Sequence, residues 1–391
     1  SILTLTGRQT ISSRGRVSAV HIASVYIILT HRFAGGSDSY FEYLIKYAYL
    51  SGNSSSIFAS EFIRTMQSSI TELLVEPQGH PDLLFLSSYS ESSGGTIPRF
   101  SHLGCFAGGT WVLGGKILGQ KTWVDYGRKL AYSCAQTYRR SITGIGPESF
   151  VYIAPPNNTN GVTIYDTAFY KKNGFNYESV DYILRPEVSE SVFYAYRSTG
   201  DPMWKDLNWL AYQNIIKYCK APAALAGIAE VNNTNTAQLD TSESFLYAEL
   251  YKYLYLTFAD PNVAHLDKVV FTTEGHPLQL QHPGAFKERK DIKSTGTPSM
   301  AAHTVASKTT NEQPMPQYSN LPASVAGFVA QVQNAAKGIY DAAGHKLAGL
   351  GGSGASAANQ KAKREEEGLR KHKARKVRKE QLDPVFRAQM N

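Results

Sequence analysis

From residue 37 onward, apolar positions recur at helical spacing. In SDSYFEYLIKYAYLSG (37–52) they fall at 41, 44, 45 and 48, with Ser37 or Asp38 at the N-cap and Gly52 as a stop. A second helix is predicted over 56–74, with Ile57, Phe58, Phe62, Ile63, Met66, Ile70 and Leu73 on one face. Leu83–Tyr89 reads as a strand. Helices follow near 102–114 and 120–140, short strands near 150–153 and 181–184, and a helix pair at 187–199 and 203–219. A last long helix is predicted over 242–260. The pattern is mainly α: about three and a half helix pairs, joined by loops with short β segments, as in a ring or solenoid of α-hairpins.

The two ends read differently. VSAVHIASVYIILT (17–30) is an apolar run after Arg8, Arg14 and Arg16, shorter than the ~20 residues of a membrane span. It belongs to an atypical N-terminal segment, 1–32, and leaves membrane association open. Residues 281–391 begin as a polar, Pro-containing stretch with the composition of a disordered linker. An amphipathic stretch at 324–347, weakened by three glycines, and a basic segment at 361–381 follow. This tail holds 18 Lys+Arg against 9 Asp+Glu, which leaves 22 against 23 in the rest of the chain. The net charge of +8 therefore describes the tail. Nucleic-acid binding by the body has no support, whereas the basic segment suits RNA, anionic lipid or an acidic partner, or simply a solvated face.

Composition and charge placement narrow the chemistry. Aromatic residues reach 12%, with 24 Tyr, which suits either an aromatic core or a surface that packs on sugars or peptides. Asp38, Glu148, Glu187 and Glu243 each fall near a predicted helix start. Singly, each serves its own helix dipole; together on one mouth of a ring they would gather negative charge. In VVFTTEGHPL (269–278) an apolar strand runs into Thr272, Thr273, Glu274 and His276, which by itself is a strand edge entering a turn. Sequons stand at Asn53, Asn157 and Asn232, and the cysteines are Cys105, Cys134 and Cys219.

Six segments together resemble the class I α-1,2-mannosidases, glycoside hydrolase family 47. They are GGSDSYFEYLIKY (35–47), HLGCFAGG (102–109), TGIGPESF (143–150), LRPEVSESVFYAYRSTGD (184–201), TSESFLYAELYKYLYLTFAD (241–260) and VFTTEGHPL (270–278), in family order. The resemblance covers 33–280, the C-terminal half or slightly more of a family catalytic domain. It implies part of an (α/α)7 barrel and Ca²⁺-dependent, inverting removal of α-1,2-linked mannose from high-mannose N-glycans in the secretory pathway. Inversion needs a carboxylic acid and a carboxylate on the order of 6.5–9.5 Å apart, leaving room for a water.

By the same resemblance Glu187 matches the general base and Asp38 an acid-side aspartate. Arg185 matches a sugar-binding position, and Glu148, Glu190, Glu243, Glu249 and Glu274 match acids that line the site. Thr273 matches the residue that gives oxygen ligands to Ca²⁺, and Cys105 with Cys134 the family's disulfide, which leaves Cys219 without a partner. The family segment preceding SDSY, with its acid-site glutamate, has no match here. Two alternatives to an active hydrolase therefore stand: a glycan-binding quality-control relative, and a half-barrel interaction protein whose basic tail is its working part.

Overall fold

The computed structural model describes residues 30–31, 33, 35–90 and 93–292. Among these the chain is mainly helical, with eight α-helices and short antiparallel sheets. Helix α1 (Asp38–Leu50) buries Phe41, Leu44, Ile45 and Ala48, the periodic apolar face, but also Glu42 and Lys46. Helix α2 (Ile57–Glu72) is capped by Ser56, whose Oγ accepts from the Ala59 N–H at 3.2 Å. It packs through Ala59, Phe62, Met66 and Ser69. Ile57 lies on the side opposite that stripe, and Phe58 stands one turn before Phe62 in the open first turn, so they stay 69% and 40% exposed instead of joining the buried face. Phe58 instead meets the half-exposed Tyr47 ring of α1 at 4.6 Å.

The centre of the molecule is α3 (Phe106–Ile117), buried along almost its whole length and packed between α4 (Lys121–Arg139) and α6 (Glu187–Thr199). Its approach to α4 requires glycine. A Cβ on Gly108 would lie 2.9 Å from the Ala131 nitrogen, and one on Gly127 would lie 2.7 Å from the Gly108 carbonyl oxygen. Helix α5 (Thr167–Asn173) is short, starting at Asp166, whose carboxylate accepts from the Phe169 N–H at 2.8 Å, and the periodicity did not predict it. Helix α7 (Pro202–Cys219) packs on α6, and α8 (Tyr251–Phe258) packs on both.

Two predicted elements change. The helix expected over 242–260 begins only at a π-helical turn, Leu246–Leu250, which leads into α8, because Glu243 and Ser244 spend their carbonyls on a tight turn. In the strand expected at 181–184, Tyr182 pairs in an isolated bridge with Ile228 and Leu184 turns to φ +71°, which ends extended backbone; the continuous strand lies earlier, at Asn176–Ser179. That strand joins Arg99–Ser101 and Ser149–Val151 in a three-stranded antiparallel sheet. The hairpin Val269–Phe271 with Pro277–Gln279 pairs Phe271 opposite Pro277.

Cys105 and Cys134 form a disulfide across 29 residues, and Cys219 is a buried free thiol. Asn53, Asn157 and Asn232 are all exposed. The body extends beyond residue 280: Phe286 packs edge-on against Tyr49, and the Arg289 N–H donates to the Leu118 carbonyl at 3.1 Å. The expected linker composition therefore begins as backbone laid on the helices. The rest of that tail, with its amphipathic and basic stretches, lies outside the described residues, as does nearly all of 1–32. Among the described residues no helix is long and apolar enough to cross a membrane.

Candidate active site

The site gathers at helix starts. Helix α6 begins at Glu187, in its first turn, where the dipole favours an anion. Before it, the buried Leu184 adopts a left-handed conformation that a branched, bulky side chain reaches only at a cost of order 1–3 kcal/mol. The turn brings Arg185 and Glu187 to one pocket.

Glu187 is held from both sides. His102 Nδ1 lies 2.9 Å from Glu187 Oε2, and Nε2 of the same buried ring lies 2.7 Å from the Tyr138 hydroxyl. Arg185 Nη1 lies 3.6 Å from Glu187 Oε1, while its Nε donates to Glu148. Burial would pull the guanidinium down, but Glu187 and Glu148 outweigh it and hold Arg185 above its ordinary range. Glu148 also accepts from the Ile183 N–H at 3.3 Å. It stands directly before the strand Ser149–Val151, not before a helix, so its expected place at a helix start is corrected. Its acid is delivered by the sheet and serves Arg185.

The pocket encloses about 180 Å³. Asp38, Glu42, Glu187, Glu190, Glu249 and Glu274 line it with Arg185 and Thr273, and Leu103, Phe106 and Phe245 form its apolar wall. Phe245 also lies under the Arg185 guanidinium, 5.8 Å from carbon to ring centre. Six carboxyl groups against one guanidinium is a charge excess that burial makes expensive. Burial pushes Glu190 well up, Lys46 opposes, and Glu42, Glu249 and Glu187 add to the rise. Glu249 is pushed up to about 8, by burial first and then by Glu187 and Glu42. Behind the wall, burial would pull Lys46 down, but Glu42, Tyr194 and Glu190 prevail and keep it charged. Within this group Glu42 holds the ammonium.

The hairpin at Val269–Gln279 closes the pocket. Its tip turns at Gly275, φ +69°, with Thr272 N–H donating to the His276 carbonyl at 2.9 Å. The Thr273 N–H donates to the Tyr43 hydroxyl at 3.1 Å, and Lys252 Nζ donates to the Gly275 carbonyl at 2.6 Å. Helices α1 and α8 thus fix where Thr273 stands.

Of the residues singled out from the sequence, Asp38, Arg185, Glu187, Glu190, Glu249, Thr273 and Glu274 line this pocket, and Glu148 stands behind Arg185. Glu243 does not line it; it is half-buried in the turn before Leu246. Glu42, His102 and Phe245 were missed. Glu42 carried a signal, since it lies one helical turn after Asp38, and His102 opens the HLGCFAGG segment. Among the described residues no three His, Cys, Asp or Glu side chains converge as metal ligands. The donors at the pocket are oxygens only, with an uncompensated negative charge, which fits a hard cation held by few protein atoms and completed by water.

The family model for glycosyl hydrolase family 47 matches residues 13–280. Mannosyl-oligosaccharide alpha-1,2-mannosidase 1B of Aspergillus oryzae is 40% identical over 252 residues, 63% of this chain and 48% of the relative. The enzyme of the same description from Emericella nidulans is 38% identical over 273 residues, 68% and 53% of the two chains. The solved alpha-1,2-mannosidase from Trichoderma reesei superposes with a TM-score of 0.60 at 37% identity, covering 64% of this chain and 52% of that one. The chain spans about half the length of the curated relatives it matches. With the match running over well more than half of its residues, the chain belongs to glycosyl hydrolase family 47.

Proposed function

We propose that the protein is an α-1,2-mannosidase that removes α-1,2-linked mannose from high-mannose N-glycans with inversion. Its helical body is then part of an (α/α)7 barrel, and it works in the secretory pathway. The observation that carries this reading is the pocket in which Glu187, set by His102 and Arg185, faces Asp38 and Glu190 among oxygen donors. The 37–40% identity to proteins described as alpha-1,2-mannosidases points to the same substrate. The disulfide and the three exposed sequons suit an oxidising, glycosylating compartment.

Glu187 is the general base: it takes a proton from the water that attacks the anomeric carbon. Its carboxylate oxygens are aimed by His102 and by the guanidinium of Arg185. Arg185 keeps donors free for sugar hydroxyls because Glu148 engages only one edge of the fork. Asp38 stands on the acid side, at the start of α1, and supplies the leaving oxygen with a proton directly or through water. Phe245, Leu103 and Phe106 give the sugar ring an apolar wall and keep bulk water out.

Calcium bound at Thr273 would supply a positive charge that orients sugar hydroxyls. At a calcium concentration hundredfold above its dissociation constant, the chain is expected to gain about 2.7 kcal/mol of stability. Thr273→Ala should lose most of that gain by calorimetry. An equal gain in both proteins removes Thr273 from the ligand set.

Glu249 makes the metal-free protein sensitive to alkali. Its folded pKa, about 8, lies above the ordinary carboxylate value, so its contribution is complete below that ordinary value and disappears as pH rises through about 8. In chelator, unfolding temperature should fall between pH 5 and 9, and Glu249→Gln should flatten the fall. A variant that loses stability as steeply as the wild type would show that another group titrates.

The test of the function is release of free mannose from a high-mannose glycan, with and without chelator. No release at any calcium concentration would overturn the assignment.

A further inference from the structure

The Lys46 ammonium stands behind the acidic pocket without lining it, against two of its glutamates. Lys46 is 2% exposed on α1, one turn after Glu42, and it donates to Glu42 Oε1. The same nitrogen lies 3.6 Å from Glu190 Oε1 on α6 and 5.7 Å from the Tyr194 ring centre. From α8 the Tyr253 hydroxyl donates to that same Glu190 oxygen at 3.2 Å. One ammonium therefore joins α1 to α6, α8 adds a hydrogen bond to the same Glu190 oxygen, and both carboxyl groups beside the ammonium line the pocket. Glu187 and Glu249 also act on Glu190 electrostatically.

A buried lysine is costly unless its neighbours compensate it. Glu42 alone would neutralise it as an i, i+4 pair. The second contact, to Glu190, does something else: it ties α1, which starts with Asp38, to α6, which starts with Glu187. Without the ammonium, Glu42 and Glu190 are two acids facing each other in a dry wall, and the pair must share protons or move apart.

We propose that Lys46 is a positioning residue of this pocket, holding Glu42 and Glu190 together so that the acid side on α1 and the base side on α6 keep one separation. The proposal rests on the mannosidase reading above. Lys46 touches neither sugar nor attacking water; it acts through the two glutamates.

The test is steady-state cleavage of α-1,2-linked mannobiose in calcium by the full chain. Lys46→Met is expected to lower kcat/KM about 100-fold, mostly in kcat, because displacement on the order of 1 Å at a reacting centre costs that much. Lys46→Arg, which keeps the charge, should recover most of the loss. A Lys46→Met protein that is folded and within about twofold of wild type overturns the proposal and leaves the mannosidase reading standing. So does a protein that merely unfolds at lower temperature with unchanged kcat. If Lys46→Met fails to fold, the double variant Lys46→Met/Glu42→Gln removes one buried charge of each sign. It should fall about tenfold below Glu42→Gln alone, and no further loss overturns the assignment. A wild-type chain that releases no mannose overturns the mannosidase reading itself and this proposal with it.

Discussion

Replacing Glu187 by glutamine is expected to reduce mannose release by a factor on the order of 10²–10⁴, with the fold and glycan binding retained. Glutamine has the shape of glutamate but no affinity for the proton of the attacking water. The neighbours that aim the side chain remain. His102 still bridges to the Tyr138 hydroxyl, and Arg185 keeps its bond to Glu148, so no buried cation is left unpaired. A loss confined to kcat, with KM and unfolding temperature little changed, identifies the base. A loss that appears equally in KM would mean that Glu187 holds the sugar and that the water is activated elsewhere. Asp38→Asn is the natural control. It sits on α1, and its loss should be relieved on substrates with a leaving group that needs no proton.

What could be read from the sequence depended on how local the cause was. Helix α6 was expected at 187–199 and is Glu187–Thr199, because Pro186 and Gly200 punctuate both ends of an apolar period. The seven pocket residues were named through the family resemblance, since nothing in spacing alone brings Asp38 beside Glu187. Three features escaped for physical reasons. Glu42 and Lys46 were not singled out, because charged side chains are rarely buried and nothing local marks this pair as an exception. Leu184 gave no sign of its left-handed turn, since leucine disfavours that region and tertiary structure imposes it. His102 depends on Glu187 and Tyr138, respectively 85 and 36 residues away, and no local pattern encodes such a contact.

Those long-range contacts explain why the second large effect is expected at a position remote in sequence from the base. Replacing both Cys105 and Cys134 by serine should cost about 3–4 kcal/mol of stability, as expected for opening a loop that the bond closes across 29 residues. That corresponds to a fall of roughly 10 °C in unfolding temperature for a body of this size. Both sulfurs are fully buried, so the serine hydroxyls would also enter an apolar core between α3 and α4. The consequence reaches the site. Cys105 ends the turn that begins at His102, and Cys134 lies one helical turn before Tyr138. The disulfide therefore clamps the two elements whose side chains meet at the His102–Tyr138 hydrogen bond, and that bond orients the histidine against Glu187. The double variant should lose kcat at temperatures well below its own unfolding, and reducing agent should do the same to the wild type. Full kcat in a folded Cys105→Ser/Cys134→Ser protein would show that helix packing alone sets His102, through the close contact of Gly108 and Gly127.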